Sequence, residues 1–150
     1  VHANDAPSTI TRLLDLGIAP FLLGSSLNLI MAQRLVRTID ENAKEEYTPT
    51  SEELSRINLS SQDTSSMKFF RGKPTTDNHQ TGYKGRTAIH EILEVNNEIR
   101  QLIYDGSSQN EIKKSAVNNG MTSLRDAGIE KVKTGISTID EVLRATVEDI

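Results

Sequence analysis

Residues 18 to 36 read IAPFLLGSSLNLIMAQRLV, and what this stretch becomes decides the fold. No charge occurs from Gly17 to Gln33, yet Asn28, Gln33 and Arg34 interrupt the apolar run and Ser25 and Ser26 dilute it. It falls short of the ~20 predominantly apolar residues that a membrane-spanning helix needs. The expectation is a buried core helix from about Pro20 to Val36, leading into a short strand at Arg37, Thr38 and Ile39. A preceding helix is expected after Asp5, whose carboxylate can cap it. Pro7 is tolerated in its first turn, Ile10, Leu13 and Leu14 follow at helical spacing, and Gly17 ends it.

The totals bound what surrounds these helices. With 150 residues, the chain can form one domain or two small subdomains sharing a core, and no typical multidomain enzyme. Hydrophobic residues make up 35% and aromatics 4%, without tryptophan, so the core must be aliphatic. The net charge of −4 arises from 17 basic and 21 acidic residues that are interspersed, which excludes a broad nucleic-acid surface. Zero cysteines exclude a disulfide scaffold and thiolate chemistry and fit a reducing compartment, the cytoplasm by default. The start lacks a basic region followed by an apolar core and a small-residue cleavage site, so no secretory leader is expected.

From Asp40 to Gln80 the chain turns polar, acidic and rich in serine and threonine, which predicts a loosely packed insert. Within it, Thr50 and Glu53 have capping-box spacing and introduce a short helix carrying Leu54 and Ile57. Met67 to Phe70 reads as a brief strand. Order returns where Gly82 and Gly85 bracket a turn and Thr87 to Val95 reads as a strand. Short helices follow: one with Ile99, Leu102 and Ile103 stopping at Gly106, and one from the Ser108/Glu111 pair stopping at Gly120. Another begins near Ser123 and stops at Gly135, and a last one follows Ser137. Together they predict a small C-terminal helical bundle.

Complete catalytic chemistry is missing. A phosphate-binding loop needs glycines for close backbone approach and a lysine followed by serine or threonine. In FFRGKP (69 to 74) Pro74 follows Lys73, and Met67 stands where the first glycine belongs. In TGYKGRT (81 to 87) Arg86 replaces the lysine and Gln80 the first glycine. No nucleophile elbow, zinc-binding His-Glu-x-x-His helix or calcium loop occurs. The three histidines, His2, His79 and His90, are too scattered for a metal site. His90 reads as an ordinary strand residue and His2 as a chain end.

Three separated strings carry a family likeness: VHANDAPSTITRLLDLGIAPFLLGSSLNLIMAQRLVRT from Val1, TGYKGRTAIHEIL from Thr81, and SLRDAGIEKVKTGISTIDEVLRAT from Ser123. Over residues 1 to about 147 the chain resembles the C-terminal part of the ATPases of type II secretion and type IV pilus extension. The resemblance implies a mainly helical α+β fragment of a RecA-like P-loop NTPase domain. Residues 1–39 would be its edge with two core helices, 40–80 an insert with a short β-hairpin, 81–95 a returning strand and 96–150 the helical subdomain. It further implies a homohexamer on the cytoplasmic face of the inner membrane. ATP and magnesium would serve the parent protein, inner-membrane platform proteins would be its partners, and neither nucleic acid nor a membrane span is involved. The strings serve the secretion and pilus branches alike.

In that family the Walker A and Walker B motifs precede the histidine box, which VHANDA matches, so this chain alone is expected to turn over no ATP. His2 would lie near the nucleotide's terminal phosphate, where a donor senses or stabilises developing charge; in the isolated chain it is expected to be silent. Arg34 and Arg37 match the basic end of the core helix, with solvent-facing or acid-paired arginines as the plain alternative. Arg86 is the candidate for a nucleotide-responsive or intersubunit arginine, since a guanidinium suits phosphate or carboxylate; a strand-end salt bridge is its alternative. The family commonly carries a tetracysteine zinc module between the first and second of these strings, after RLVRT and before TGYKGR. Here those positions are Asp40, Ala43, Thr75 and Asn78, so zinc is not expected. A different class of function, a stand-alone helical module docking a partner through residues 96–147, is the competing expectation.

Overall fold

The computed structural model describes residues 3–60, 62 and 64–146. Among these, seven helices and four strands form a mixed fold. Helix α1 (Ala6–Asp15) and α2 (Pro20–Ser26) precede β1 (Leu29–Ile39). Strand β2 (Lys44–Tyr47), α3 (Ser51–Arg56) and β3 (Phe69–Gly72) make up the insert, and β4 (Tyr83–Glu94) returns the chain. Four helices close it: α4 (Asn97–Tyr104), α5 (Gln109–Asn118), α6 (Leu124–Lys133) and α7 (Ile139–Ala145).

The stretch 18–36 corrects the expectation. Only Pro20–Ser26 is helical, and from Leu29 the chain is a strand paired with β4 in a two-stranded sheet. Gly24, Ser25 and Ser26 are poor helix formers, and Leu27 leaves the helix in an extended conformation with ψ of 133°. Beyond it burial alternates, with Ile30 and Val36 buried while Leu29, Met31 and Leu35 are exposed. That is the two-residue period of a strand, extended by Thr38 and Ile39. The Val95 N–H donates to the Asn28 carbonyl, and the Thr38 hydroxyl donates to the Lys84 carbonyl.

The chain divides into two compact units. The first comprises residues 3–33 and 90–124, the second 34–89 and 125–146, among those described. Of the four closing helices, α4 and α5 belong to the first unit, and α7 and all of α6 beyond Leu124 to the second.

In the first unit α4 packs on α2 and α5, and α5 packs on α1. The core is aliphatic: Ile10, Leu23, Ile30, Leu93, Ile99, Ile103 and Ile112. Side chains satisfy the helix starts, where backbone N–H groups lack intrahelical acceptors. Asp5 caps α1 with reciprocal bonds to Ser8, Asn96 accepts from the Ile99 N–H, and Ser108 from the Glu111 N–H. Arg100 covers the end of α2, its Nη1 donating to the carbonyls of Gly24 (2.6 Å) and Leu27 (3.3 Å).

The second unit overturns the expectation of a loose insert. Strands β2 and β3 pair antiparallel, from Lys44 opposite Gly72 to Tyr47 opposite Phe69. The Thr50/Glu53 capping box starts α3 as read from sequence. Leu54, Ile57 and Phe69 then pack with Ile129, Val132, Ile139 and Val142 of α6 and α7. The few anchors of the insert are completed by side chains far along the chain. At its neck the backbones of Gly72 and Gly82 cross so closely that a Cβ on Gly72 would lie 1.7 Å from the Gly82 carbonyl oxygen.

Because backbone, not a yielding side chain, occupies that space, Gly72→Ala should destabilise the protein by about 3 kcal/mol. Urea denaturation checks this; an unchanged midpoint would show that the strands part without cost.

Candidate functional site

Of the sequence-derived candidates, His2 lies outside the described residues. Arg34 and Arg37 stand on β1 and Arg86 on β4, all in the second unit. Arg34 is half-buried. The other two arginines differ sharply in environment.

Arg37 is bound to Glu141, a residue that sequence reasoning did not single out. Its Nε and Nη2 donate to Glu141 Oε1 at 2.9 and 2.8 Å, and its backbone N–H donates to Oε2 at 2.6 Å. The guanidinium also lies 4.2 Å from the centre of the Tyr83 ring, a cation–π contact. Arg144 approaches the same carboxylate, donating from Nε to Oε1 at 2.9 Å and from Nη2 to Oε2 at 3.0 Å. Arg37 is thus acid-paired. Two guanidiniums on one carboxylate leave one net positive charge, presented by side chains that are partly exposed while Glu141 is 1% exposed.

The geometry follows from the start of α7. Thr138 caps this helix, accepting from the Glu141 N–H at 3.2 Å, while its hydroxyl meets the Tyr83 hydroxyl at 2.6 Å. The Thr138-x-x-Glu141 spacing was a legible capping signal, but the Glu141 carboxylate turns instead to Arg37. Burial pushes this carboxyl up, and the hydrogen bonds from Arg144 and Arg37 outweigh burial and hold it at about 2. Burial likewise pushes the Tyr83 phenol up.

Arg86 is exposed and has no hydrogen-bond or ion-pair partner among the described residues. The strand-end salt bridge is not formed. Gly85, with φ of 86°, brings the backbone against Thr38, whose Oγ1 would lie 3.0 Å from a Cβ placed there. The glycine serves a close approach within the protein itself.

Asp40, Ala43, Thr75 and Asn78 are linked by hydrogen bonds through Asn78 and Lys73. Asn78 is buried, and its Nδ2 donates to Asp40 Oδ2 (3.0 Å) and the Lys73 carbonyl (2.9 Å). Its Oδ1 accepts from the N–H groups of Thr75 (2.8 Å) and Gly82 (3.1 Å). Asp40 Oδ1 accepts from the Asn42 N–H at 3.0 Å, and the Ala43 carbonyl from the Lys73 N–H at 2.8 Å. All donor and acceptor capacity of the Asn78 amide is used. Among the described residues no three histidine, aspartate or glutamate side chains converge as metal ligands. No glycine-rich loop carrying lysine followed by serine or threonine occurs in the sequence.

Glu141 makes stability depend on acid. Its folded value of about 2 lies below its ordinary 4.5, so its contribution is full above the latter and fades as pH falls from there through about 2. Allowing for the partly exposed guanidiniums, it amounts to about 2 kcal/mol. Urea midpoints should show wild type losing its advantage over Glu141→Gln between about pH 5 and pH 2; a pH-independent gap would contradict the assignment.

A family model described as "Type II/IV secretion system protein" matches residues 1–144. The chain is 43% identical over 148 residues to the type IV pilus assembly ATPase PilB of Thermus thermophilus, covering 99% of this chain and 17% of that protein. It is 40% identical over 149 residues to the type II secretion system protein E of Pseudomonas aeruginosa, covering 99% and 29%. It is 38% identical over 148 residues to the type II secretion system ATPase E of Vibrio cholerae, again covering 99% and 29%. It thus spans under a third of the length of each of these relatives. The chain belongs to the type II/IV secretion system protein family.

Proposed function

We propose that this chain is the C-terminal part of a hexameric ATPase that couples ATP hydrolysis to protein export by type II secretion or to type IV pilus extension. It works with inner-membrane platform proteins at the cytoplasmic face of the inner membrane. The observation that carries this reading is the match along 99% of the chain to relatives named as ATPases of both systems. No helix among the described residues is long and apolar enough to cross a membrane, which agrees with a peripheral position.

In this reading β1 and β4 are strands of a RecA-like sheet whose remaining strands carry Walker A and Walker B upstream of Val1. The exposed apolar side chains of Leu29, Met31 and Ile92 on these two strands support it, because exposed apolar surface marks a contact face. His2 lies near the terminal phosphate of ATP. Arg86 engages the nucleotide or a neighbouring subunit, and Arg34 and Arg37 support that surface. Magnesium and ATP are bound by the parent protein through residues this chain lacks, and the Asp40/Asn78 network replaces zinc.

The purified 150-residue chain should release no phosphate from ATP above a blank. A longer polypeptide with the upstream loops should hydrolyse it, and His2→Ala should lower kcat there about a hundredfold, the scale of a lost transition-state donor. Turnover by the short chain would refute the placement of the chemistry. Elemental analysis should find no stoichiometric zinc in the wild-type chain. Replacing Asp40, Ala43, Thr75 and Asn78 together by cysteine should create a site for one zinc ion; zinc in the wild-type protein would refute the replacement.

A further inference from the structure

Glu91 stands on β4 and is 1% exposed. Its Oε1 accepts from the Ala6 N–H at 2.7 Å and its Oε2 from the Leu124 N–H at 2.8 Å. Ala6 and Leu124 are the first residues of α1 and α6. Their N–H groups have no acceptor within their own helices and carry the partial positive charge of a helix start. One carboxylate therefore binds two helix starts, 85 residues away in one direction and 33 in the other.

Capping alone does not require this arrangement. Asp5 already caps α1, accepting from the Ser8 N–H at 2.9 Å, and it too is buried. A second carboxylate at the same helix start adds desolvation and repulsion. Burial pushes the Glu91 carboxyl up, the bonds from Ala6 and Leu124 pull it back, Asp5 pushes it up again and Lys113 draws it down. What Glu91 adds to a cap is position, since it binds the first peptide of α1 to β4 and to the first peptide of α6.

We infer that Glu91 is a positioning residue that fixes the point at which the segment carrying His2 enters α1. The catalytic part of this inference rests on the reading of His2 given above. Only a charged carboxylate of this reach accepts from both N–H groups. Glutamine offers one acceptor and sets an NH2 against the other N–H, and aspartate keeps the charge but is one methylene shorter.

The first test uses the unaltered 150-residue chain. Amide hydrogen exchange resolved by NMR should show Ala6 and Leu124 protected like helix-interior amides, although first-turn amides ordinarily exchange freely. Free exchange at both would overturn the inference without any variant. The second test uses the longer ATPase containing this chain. Glu91→Gln and Glu91→Asp should each lower kcat about tenfold or more, as expected for a misplaced catalytic segment, with the KM for ATP unchanged. Unaltered kcat in both variants, while His2→Ala is impaired, would overturn the positioning role and leave the His2 reading standing. Unaltered kcat in His2→Ala would instead overturn that reading, whatever the exchange data show for Glu91. A rise in KM with kcat intact would mark Glu91 as a residue of nucleotide binding, against the inference.

Discussion

A carboxylate removed from water must have its oxygens hydrogen-bonded, and among the described residues four are buried: Asp5, Asp40, Glu91 and Glu141. Among the described residues no buried side-chain nitrogen or oxygen lacks a partner. The partners of three lie far away in sequence. Asp40 meets Asn78 across 38 residues, Glu91 meets Ala6 across 85, and Glu141 meets Arg37 across 104. Arg125 makes the matching use of a buried cation. It donates to the carbonyl of Arg56, the last residue of α3 (3.4 Å), and to that of Thr146, the C-cap of α7 (3.2 Å). Glu91 holds two helix starts and Arg125 two helix ends, each charge facing the dipole end that favours it.

These ties matter because the apolar cores are modest. Aliphatic side chains pack tolerantly, so many arrangements of short helices would bury similar area. A buried charge removes that tolerance, since any register that separates it from its partners leaves an unsatisfied group at a cost of several kcal/mol. Breaking one such tie therefore disturbs the placement of distant segments as well as local stability.

What was legible in the sequence was local. Asp5, the Thr50/Glu53 box and Ser108 announced helix starts because a cap and its N–H lie three residues apart. Gly17, Gly106, Gly120 and Gly135 announced stops, and all four have positive φ. The stretch 18–36 was misread because a short apolar run suits helix and strand alike, and its strand partner begins only at Tyr83. The insert looked loose because Leu54, Ile57 and Phe69 gain their neighbours from α6 and α7. The hydrogen bonds that the Asn78 amide makes to Asp40 and to the Lys73 carbonyl were not visible, because their partners lie in separate segments. Glu91 carried no signal beyond a charged residue in a strand, and the Thr138-x-x-Glu141 spacing marked a helix start without showing the tie of Glu141 to Arg37.

The same distinction separates the arginines. Drawing Arg37 toward another molecule would take three hydrogen bonds in all from Glu141 only if its backbone also moved, because one of them comes from the main chain. Moving its side chain alone gives up two bonds and the Tyr83 contact, while Arg144 still holds the carboxylate. Such an exchange requires an incoming anion that binds a guanidinium at least as well as a buried carboxylate does. Arg86 gives up nothing among the described residues, and its backbone is already fixed by the approach of Gly85 to Thr38. A charged group held on a rigid strand without an internal partner loses little on meeting an external one. Between two arginines of one sheet, Arg37 is therefore tied within the protein, and Arg86 has no side-chain tie to give up among the described residues.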